Sequence, residues 1–355
     1  MDLQQLFTLT VTNKASDLHL MPELSPVIRI DGKLSFLEHM EVLTPDAIQS
    51  MLNSVMTADQ KELLETNKEL DFSVGFGGGT FGDEGRFRVN AYYQKGSICA
   101  AFRYLPKAIE TITSLHLPAI CSSFAQLKQG LVLVVGPTGQ GKSTTLASII
   151  NEIHQTQSVH ILTIEDPIEY IYGKGKSIIS QREITTDTHS WHVALRSALR
   201  EDPDVILVGE MRDPETIAAT ITLAETGHLV FSTLHTNSAA QSIDRIIDSF
   251  PAHEQTQIRT QLAFTLRGIT SQRLVPQLGG GRIPAVEILL GTPAVANNIR
   301  EGKTHLIDSI IQTSQESGMI SMEASLAQLV VSGLISLDTA KSYALHPDEF
   351  MQLVK

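Results

Sequence analysis

The run Gly136-Pro137-Thr138-Gly139-Gln140-Gly141-Lys142-Ser143, followed by Thr144, fits the spacing G-x-x-x-x-G-K-[ST]. Phosphate chemistry needs residues of these types in this order. Glycines let successive backbone N–H groups turn inward around phosphate oxygens. A helix beginning at Lys142 adds the positive end of its dipole. Lys142 reaches the β- and γ-phosphates of a nucleoside triphosphate, and the Ser143 hydroxyl helps to hold Mg²⁺. The apolar run Leu131–Val135 leads into the loop as a strand, and good helix formers lead out.

Such a loop works with an acid at the end of a neighbouring strand, for the metal or for the attacking water. Two stretches offer one. Ile161–Ile164 ends in Glu165-Asp166-Pro167-Ile168-Glu169, and Pro167 stops the strand so that the acids stay at its C-terminal edge. Val205–Gly209 ends in Glu210, then Met211-Arg212-Asp213. Asp213 and Glu169 fit a helix cap or a solvated loop as well as a site. Glu210 is aimed at the phosphates by its strand. His228 precedes the strand Leu229–Leu234 and His235 follows it, which puts His235 on the phosphate side. It is positioned to sense a γ-phosphate or orient water. Zinc ligation by His189, His192, His228 or His235 lacks companion cysteines and suitable spacing.

These residues need a parallel sheet to position them. Leu131–Val135, Val159–Ile164, Val205–Val208 and Leu229–Leu234 are short, mainly apolar strands, as expected when both faces are covered. Helical stretches Ser143–His154, Trp191–Arg200, Pro214–Glu225 and Ser238–Ser249 separate them, the signature of a doubly wound α/β domain. Gly279-Gly280-Gly281 links two later strands, Ser271–Val275 and Ile283–Leu290. Helices follow Gly291, one starting at Thr292-Pro293 and another carrying Met322, Leu326, Leu329 and Val330 as a core stripe.

The first hundred residues read as α+β. Leu3–Thr10 is a short helix, and Ala15–Leu20 and Val27–Ile30 are strands with a turn at Asp31-Gly32. Thr44-Pro45-Asp46 caps a helix over Ala47–Met56. Leu70–Phe76, Gly85–Tyr93 and Ser97–Tyr104 are three more strands, the first two joined by a loop loosened by Gly77-Gly78-Gly79 and Gly82. A proline-bounded segment, Leu105–Pro118, connects this part to the next.

Composition narrows the classes. The 355 residues suggest two domains, and the apolar and charged fractions, 42% and 19%, are those of a globular protein. With 27 basic and 39 acidic residues the formal net charge is −12, which speaks against a protein that lives by non-specific nucleic-acid contacts. Cys99 and Cys121 are too few for a disulfide framework or a four-cysteine zinc site and suit core positions in a reducing compartment. No apolar run approaches 18 residues, and the start, Met1-Asp2-Leu3-Gln4-Gln5, lacks a signal-peptide pattern. The expectation is a cytoplasmic protein.

Four stretches together resemble the secretion ATPase superfamily, and within it the PilT-like type IV pilus retraction ATPases. They are the phosphate loop Gly136–Leu146, an "Asp box" Thr163–Glu169, a Walker B box from Leu199-Arg200-Glu201-Asp202-Pro203-Asp204 to Gly209–Asp213, and a "His box" from Ala224–His228 to Thr233–Thr236. Ala15–Leu20 and Phe87-Arg88-Val89-Asn90 resemble the family's N-domain motifs. The resemblance implies a PAS-like N-terminal domain over 1–105, a linker over 106–118, a RecA-like ATPase core over 119–291 and a helical region over 292–355. It implies a homo-hexamer that hydrolyses ATP with Mg²⁺, with ATP between the two domains. Glu210 then orients the water, Glu165 and Asp166 lie near Mg²⁺ and the water, and His228 and His235 are the two His-box histidines. Arg88 and Arg103 fall where relatives carry arginines that approach the γ-phosphate; a solvated strand face is the plainer reading.

The same resemblance implies a motor for pilus retraction and twitching motility, peripheral at the inner face of the cytoplasmic membrane. Its partners would be an inner-membrane platform protein and in some systems a second retraction ATPase, without nucleic acid. Extension ATPases typically add an N-terminal domain and a tetracysteine insert, and no cysteine follows Cys121. The retraction motif Ala-Ile-Arg-Asn-Leu-Ile-Arg-Glu corresponds to Ala294–Glu301, with Val295, Ala296 and Asn298 as departures. A pilus assembly or secretion ATPase and an accessory retraction paralogue are the alternatives. A RecA-like nucleic-acid motor and a non-hydrolysing regulator are further ones; salt-sensitive DNA binding would mark the first and absent phosphate release the second.

Overall fold

The computed structural model describes residues 2–77 and 85–354. Gly78, Gly79 and Gly82 of the expected glycine-rich loop lie outside the described residues. The chain divides into two compact units, Met1–Ala108 with Pro167–Ile171, and Ile109–Asp166 with Tyr172–Lys355.

The first unit is α+β. Helix α1 (Leu3–Thr12) starts where the Asp2 carboxylate accepts the Gln5 N–H at 2.8 Å in a capping box. Strands β1 (Asp17–Leu20), β2 (Val27–Ile30) and β3 (Lys33–Phe36) precede α2 (Pro45–Asn53), which Thr44 caps with Pro45 in the first turn, as its sequence predicts. Helix α3 (Ala58–Asn67) is an addition to the sequence reading. It buries only Leu64 and so shows no apolar stripe. Strands β4 (Glu69–Phe76), β5 (Gly85–Gln94) and β6 (Ser97–Pro106) complete an antiparallel sheet in the order β3-β2-β1-β6-β5-β4. Along β5 the alternation buries Phe87, Val89 and Ala91 and turns Arg86, Arg88 and Asn90 to the other face. Phe7 of α1 stacks on Phe87 with ring centroids 3.9 Å apart and meets Phe76 and Phe102 edge-on.

The second unit begins at Ile109, within the expected linker 106–118, and Ile112 and Leu117 of that stretch enter this unit's core. Its elements in order are α4 (Ile120–Phe124), β7 (Gly130–Val135), α5 (Lys142–Thr156), β8 (His160–Glu165), β9 (Ile178–Glu183), α6 (Trp191–Ala198), β10 (Val205–Val208), α7 (Pro214–Glu225), β11 (Leu229–Leu234), α8 (Ala239–Asp248), α9 (Gln255–Thr265), β12 (Leu266–Pro276) and β13 (Arg282–Leu290). Helices α10 (Pro293–Arg300), α11 (Ile307–Thr313), α12 (Met322–Val331), α13 (Leu337–Tyr343) and α14 (Pro347–Leu353) follow.

The sheet runs β13-β12-β7-β11-β10-β8-β9, parallel except for the antiparallel β12–β13 pair. Successive residues of β7 serve opposite faces. Leu131, Leu133 and Val135 pack with residues of α6 to α9, while Val132 and Val134 pack with Leu146, Ile149, Ile150 and Ile153 of α5. The far part of the β12–β13 hairpin carries Met322, Leu326, Ile335, Ala340 and Phe350 of the C-terminal region. Cys99 and Cys121 are buried free thiols, and burial pushes the Cys121 thiol up to about 12.

One buried acid makes this unit pH-sensitive. Glu287 on β13 is 5% exposed and accepts the Ala239 N–H at the start of α8, 2.7 Å away. Burial pushes its carboxyl up to about 7, with Asp308 and Glu323 adding to the rise and the Ala239 N–H and Arg273 opposing it. Below about pH 4.5 both folded and unfolded chains hold this proton. Between pH 4.5 and 7 the unfolded chain loses it first, so stability falls as pH rises through that window. The expected cost at pH 8 is about 3 kcal/mol. The Glu287→Gln variant should lose this dependence. Denaturant titrations followed by the fluorescence of Trp191, the single tryptophan, check it at pH 5 and pH 8.

Candidate active site

The phosphate loop joins β7 to α5 and is braced from β12. Gly136 has φ of 148° and Gly141 φ of 81°, backbone that side-chain-bearing residues rarely adopt. A Cβ on Gly136 would stand 2.5 Å from the Gln272 carbonyl oxygen, so glycine is required there twice over. No side chain caps α5 at Gly141, which leaves the first N–H groups of the helix available to an anion. Ser143 and Thr144 occupy that first turn. Lys142 is 8% exposed, and its Nζ donates to the carbonyls of Gly136 at 2.8 Å and Pro137 at 3.0 Å. The ammonium is thus held inside the curve of its own loop.

The next strand in the sheet is β11, and its end delivers His235. The Nδ1 of His235 lies 3.3 Å from Thr138 Oγ1 and 3.5 Å from Lys142 Nζ. Its Nε2 lies 3.7 Å from Glu210 Oε2. Burial lowers the pKa of His235, and Lys142 and Arg212 lower it further against the opposing pull of Glu210. The shift favours the neutral ring, which turns Nδ1 to the loop and Nε2 to the acid.

Glu210 follows β10, two strands from β7. Its position is set from both neighbouring strands: Gly209 N–H donates to Ile164 O at 2.9 Å, and Thr233 Oγ1 donates to Gly209 O at 2.7 Å. The carboxylate pairs with Arg212 at 2.5 Å and keeps 18% side-chain exposure. Glu165 ends β8, one strand further out, roughly 14 Å from β7 at the usual strand spacing of about 4.8 Å. It accepts the Thr163 hydroxyl at 2.8 Å, and Asp166 follows it at the same edge.

Residues 2–332 match the family described as Type II/IV secretion system protein. The chain is also 46% identical over 355 residues to the type IV pilus retraction ATPase PilT of Pseudomonas aeruginosa, covering 99% of this chain and all of that one. It belongs to the type II/IV secretion system protein family. A twitching motility protein of Neisseria gonorrhoeae is 47% identical over 321 residues, 90% of this chain and 84% of the relative. A crystal structure of the pilus retraction motor PilT with bound ADP superposes with a TM-score of 0.87 at 46% identity, covering 99% of each chain. Both units of this secretion-family chain thus have counterparts: the α+β, PAS-like N-terminal unit and the RecA-like ATPase unit.

Within this family member, the loop residues Gly136 to Thr144, His235 and Glu210 come together, while other expected site residues lie elsewhere. His228 precedes β11 at the opposite end from the loop, its carbonyl accepting the Gly130 N–H, with Nδ1 2.9 Å from Leu223 O and 3.1 Å from Thr226 Oγ1. It closes the turn after α7, so within one chain it is a structural residue of that turn. Asp213 caps α7, accepting the Thr216 N–H at 2.8 Å. Arg88 and Arg103 are register partners on β5 and β6 of the first unit. Arg103 Nε donates to Asp17 at 3.0 Å, and Arg88 faces Glu169 at 3.8 Å. Glu169 belongs to the segment Pro167–Ile171, which groups with the first unit.

The donors expected for Mg²⁺, Ser143, Glu165 and Asp166, are all oxygens, as that hard cation requires. Among the described residues no group of three His, Cys, Asp or Glu side chains is placed to hold a metal. Mg²⁺ takes few protein ligands and leans on substrate phosphates, so a small set of oxygen donors suits it. The sequence reading missed Thr233 and Gln272, buried polar residues on strands that set the Gly209–Glu210 peptide and the loop. The polar pair Ser232-Thr233 inside an otherwise apolar strand was the available signal for Thr233.

Proposed function

We propose that this chain is the subunit of an ATP-hydrolysing motor that powers type IV pilus retraction and twitching motility. The observation that carries the reading is the row Lys142–His235–Glu210 across three adjacent strand ends, which joins a phosphate loop to a carboxylate through a neutral imidazole. The loop N–H groups and Lys142 hold the phosphates of ATP. Glu210 takes the proton of the water that attacks the γ-phosphorus as the bond to the β–γ bridging oxygen breaks, giving ADP and phosphate. His235, hydrogen-bonded towards the loop through Thr138 and next to Glu210, orients that water. Ser143, with Glu165 and Asp166 on the water side, would hold Mg²⁺, which when bound would supply charge neutralisation on the phosphates. Arg88 and Arg103 act as γ-phosphate arginines in the assembled ring.

The retraction reading draws on the names of the PilT and twitching relatives and on α10. Val295 and Ile299 of the Ala294–Glu301 segment are fully buried, so the fold of that helix is kept. The departures Ala296 and Asn298 stand partly accessible, where they alter what a partner meets rather than the helix itself. The working form is a homo-hexamer at the inner face of the cytoplasmic membrane, acting on a membrane platform protein. Among the described residues no helix is long and apolar enough to cross a membrane. The domain reading proposed with it is 1–105, 106–118, 119–291 and 292–355.

Two measurements test it. Purified protein should release phosphate from ATP and lose that release in the Lys142→Ala variant. Deleting the gene should leave cells with many pili and no twitching, restored by the parental chain alone. Cells without pili would turn the reading to assembly, and absence of phosphate release would turn it to a non-hydrolysing regulator.

A further inference from the structure

Gln272 sits on β12, far in sequence from the loop it touches. It is 3% exposed, and both ends of its amide are used inside the phosphate-loop region. Its Nε2 donates to Gln140 O at 2.8 Å, and its Oε1 accepts the hydroxyl of buried Thr145 at 2.7 Å. The contact is reciprocal, because Leu274 N–H donates to Gln140 Oε1 at 2.6 Å. Gln272 also backs the glycines at which the loop turns. Its carbonyl oxygen stands behind Gly136, and its Nε2 lies 2.8 Å from where a Cβ on Gly141 would be.

The consequence follows from peptide geometry. In a planar trans peptide the C=O and the following N–H point in opposite directions. Holding the Gln140 carbonyl outward towards β12 therefore turns the Gly141 N–H the other way, towards the inside of the loop. We infer that Gln272 is a positioning residue for nucleotide binding: through Gln140 it aims the Gly141 N–H at a phosphate oxygen of the bound nucleotide. This rests on the ATPase reading above and adds to it a residue outside the loop and outside its sequence pattern.

The test compares ADP binding by isothermal titration in the full-length parental chain and three variants. Gln272→Glu keeps an acceptor for Thr145 but loses the donor to Gln140, and Gln272→Met loses the donor without adding charge. Thr145→Val removes only the other contact. The two Gln272 variants should weaken ADP binding about ten- to a hundredfold, the effect of one lost hydrogen bond to a charged group. Turnover at saturating ATP should stay within about threefold of the parent, because Glu210 and His235 are untouched. Thr145→Val should weaken binding by less than about threefold. Parental affinity in either folded Gln272 variant overturns the inference, as does a Thr145→Val loss equal to theirs, which would assign the effect to packing. Should neither Gln272 variant fold, the Gly141 amide of the parent, labelled with ¹⁵N, must shift downfield on adding ADP, and an unmoved resonance overturns the inference. Failure of the parental chain to bind ADP at all would instead remove the ATPase reading.

Discussion

Glu210→Gln is expected to bind ADP as the parent does and to hydrolyse ATP about 10²–10⁴-fold more slowly, the usual range for loss of a positioned general base. Glutamine keeps the size of the side chain and an oxygen facing Arg212, whose guanidinium is 2.5 Å from the Glu210 carboxylate. It cannot take a proton. Gly209 remains tied to Ile164 and Thr233, so the peptide that carries position 210 stays in place. Because the phosphates are held two strands away at β7, affinity should be spared while turnover falls. Phosphate release and ADP titration on the same preparation separate these quantities. Turnover near the parental rate would remove Glu210 from the chemistry and leave Glu165 as the next acid in the sheet.

The largest expected effect on stability is at Phe7. Its ring is fully buried, stacked at 3.9 Å and 14° on Phe87 and edge-on to Phe76 and Phe102. Truncation to alanine opens a cavity that the three surrounding phenylalanines cannot fill without leaving their rotamers, at a cost of about 3–5 kcal/mol. Hydrogen exchange should show it as a loss of protection in β5 and β6 of about a hundredfold or more. Trp191 lies in the second unit, so its fluorescence offers an internal comparison. Unchanged exchange in β5 and β6 would mean that α1 contributes little to the first unit.

The elements that carry the site were the most legible in the sequence, and for a physical reason. Strands β7, β10 and β11 are buried on both faces, so they read as apolar runs, broken in β11 only by Ser232 and Thr233, and turn chemistry marks their ends. Pro214 with Asp213 bounds α7 to the residue. Strand β9 escaped notice because it is an edge strand, Ile-Ile-Ser-Gln-Arg-Glu, with only half-covered residues and an exposed Ile178. Helix α9 runs straight into β12 at Leu266 without a breaker, so neither boundary is visible. Among site residues, Lys142, Glu210 and His235 were legible because a strand end dictates where each points. Gln272 was not, because nothing local in Ser-Gln-Arg-Leu says that the glutamine faces a loop met much earlier in the chain. His228 shows the converse: it and His235 flank the same strand at opposite ends, and direction along that strand puts one at a turn and the other beside the loop.

The bond between Gln272 and Gln140 spans 132 residues, and β12 lies against β7 over Leu266–Ser271. During synthesis, then, the loop leaves the ribosome long before the strand that shapes it. At roughly 5–20 residues per second the interval is on the order of ten seconds. Throughout it the Gly-rich segment has its sequence but not its wall, and long-range pairing of this kind is slow to form. A nascent or C-terminally truncated chain ending before β12 would carry every residue of the phosphate loop without the brace that curves it. Formation of the phosphate-binding loop is in this way coupled to synthesis of β12, 132 residues further along the chain.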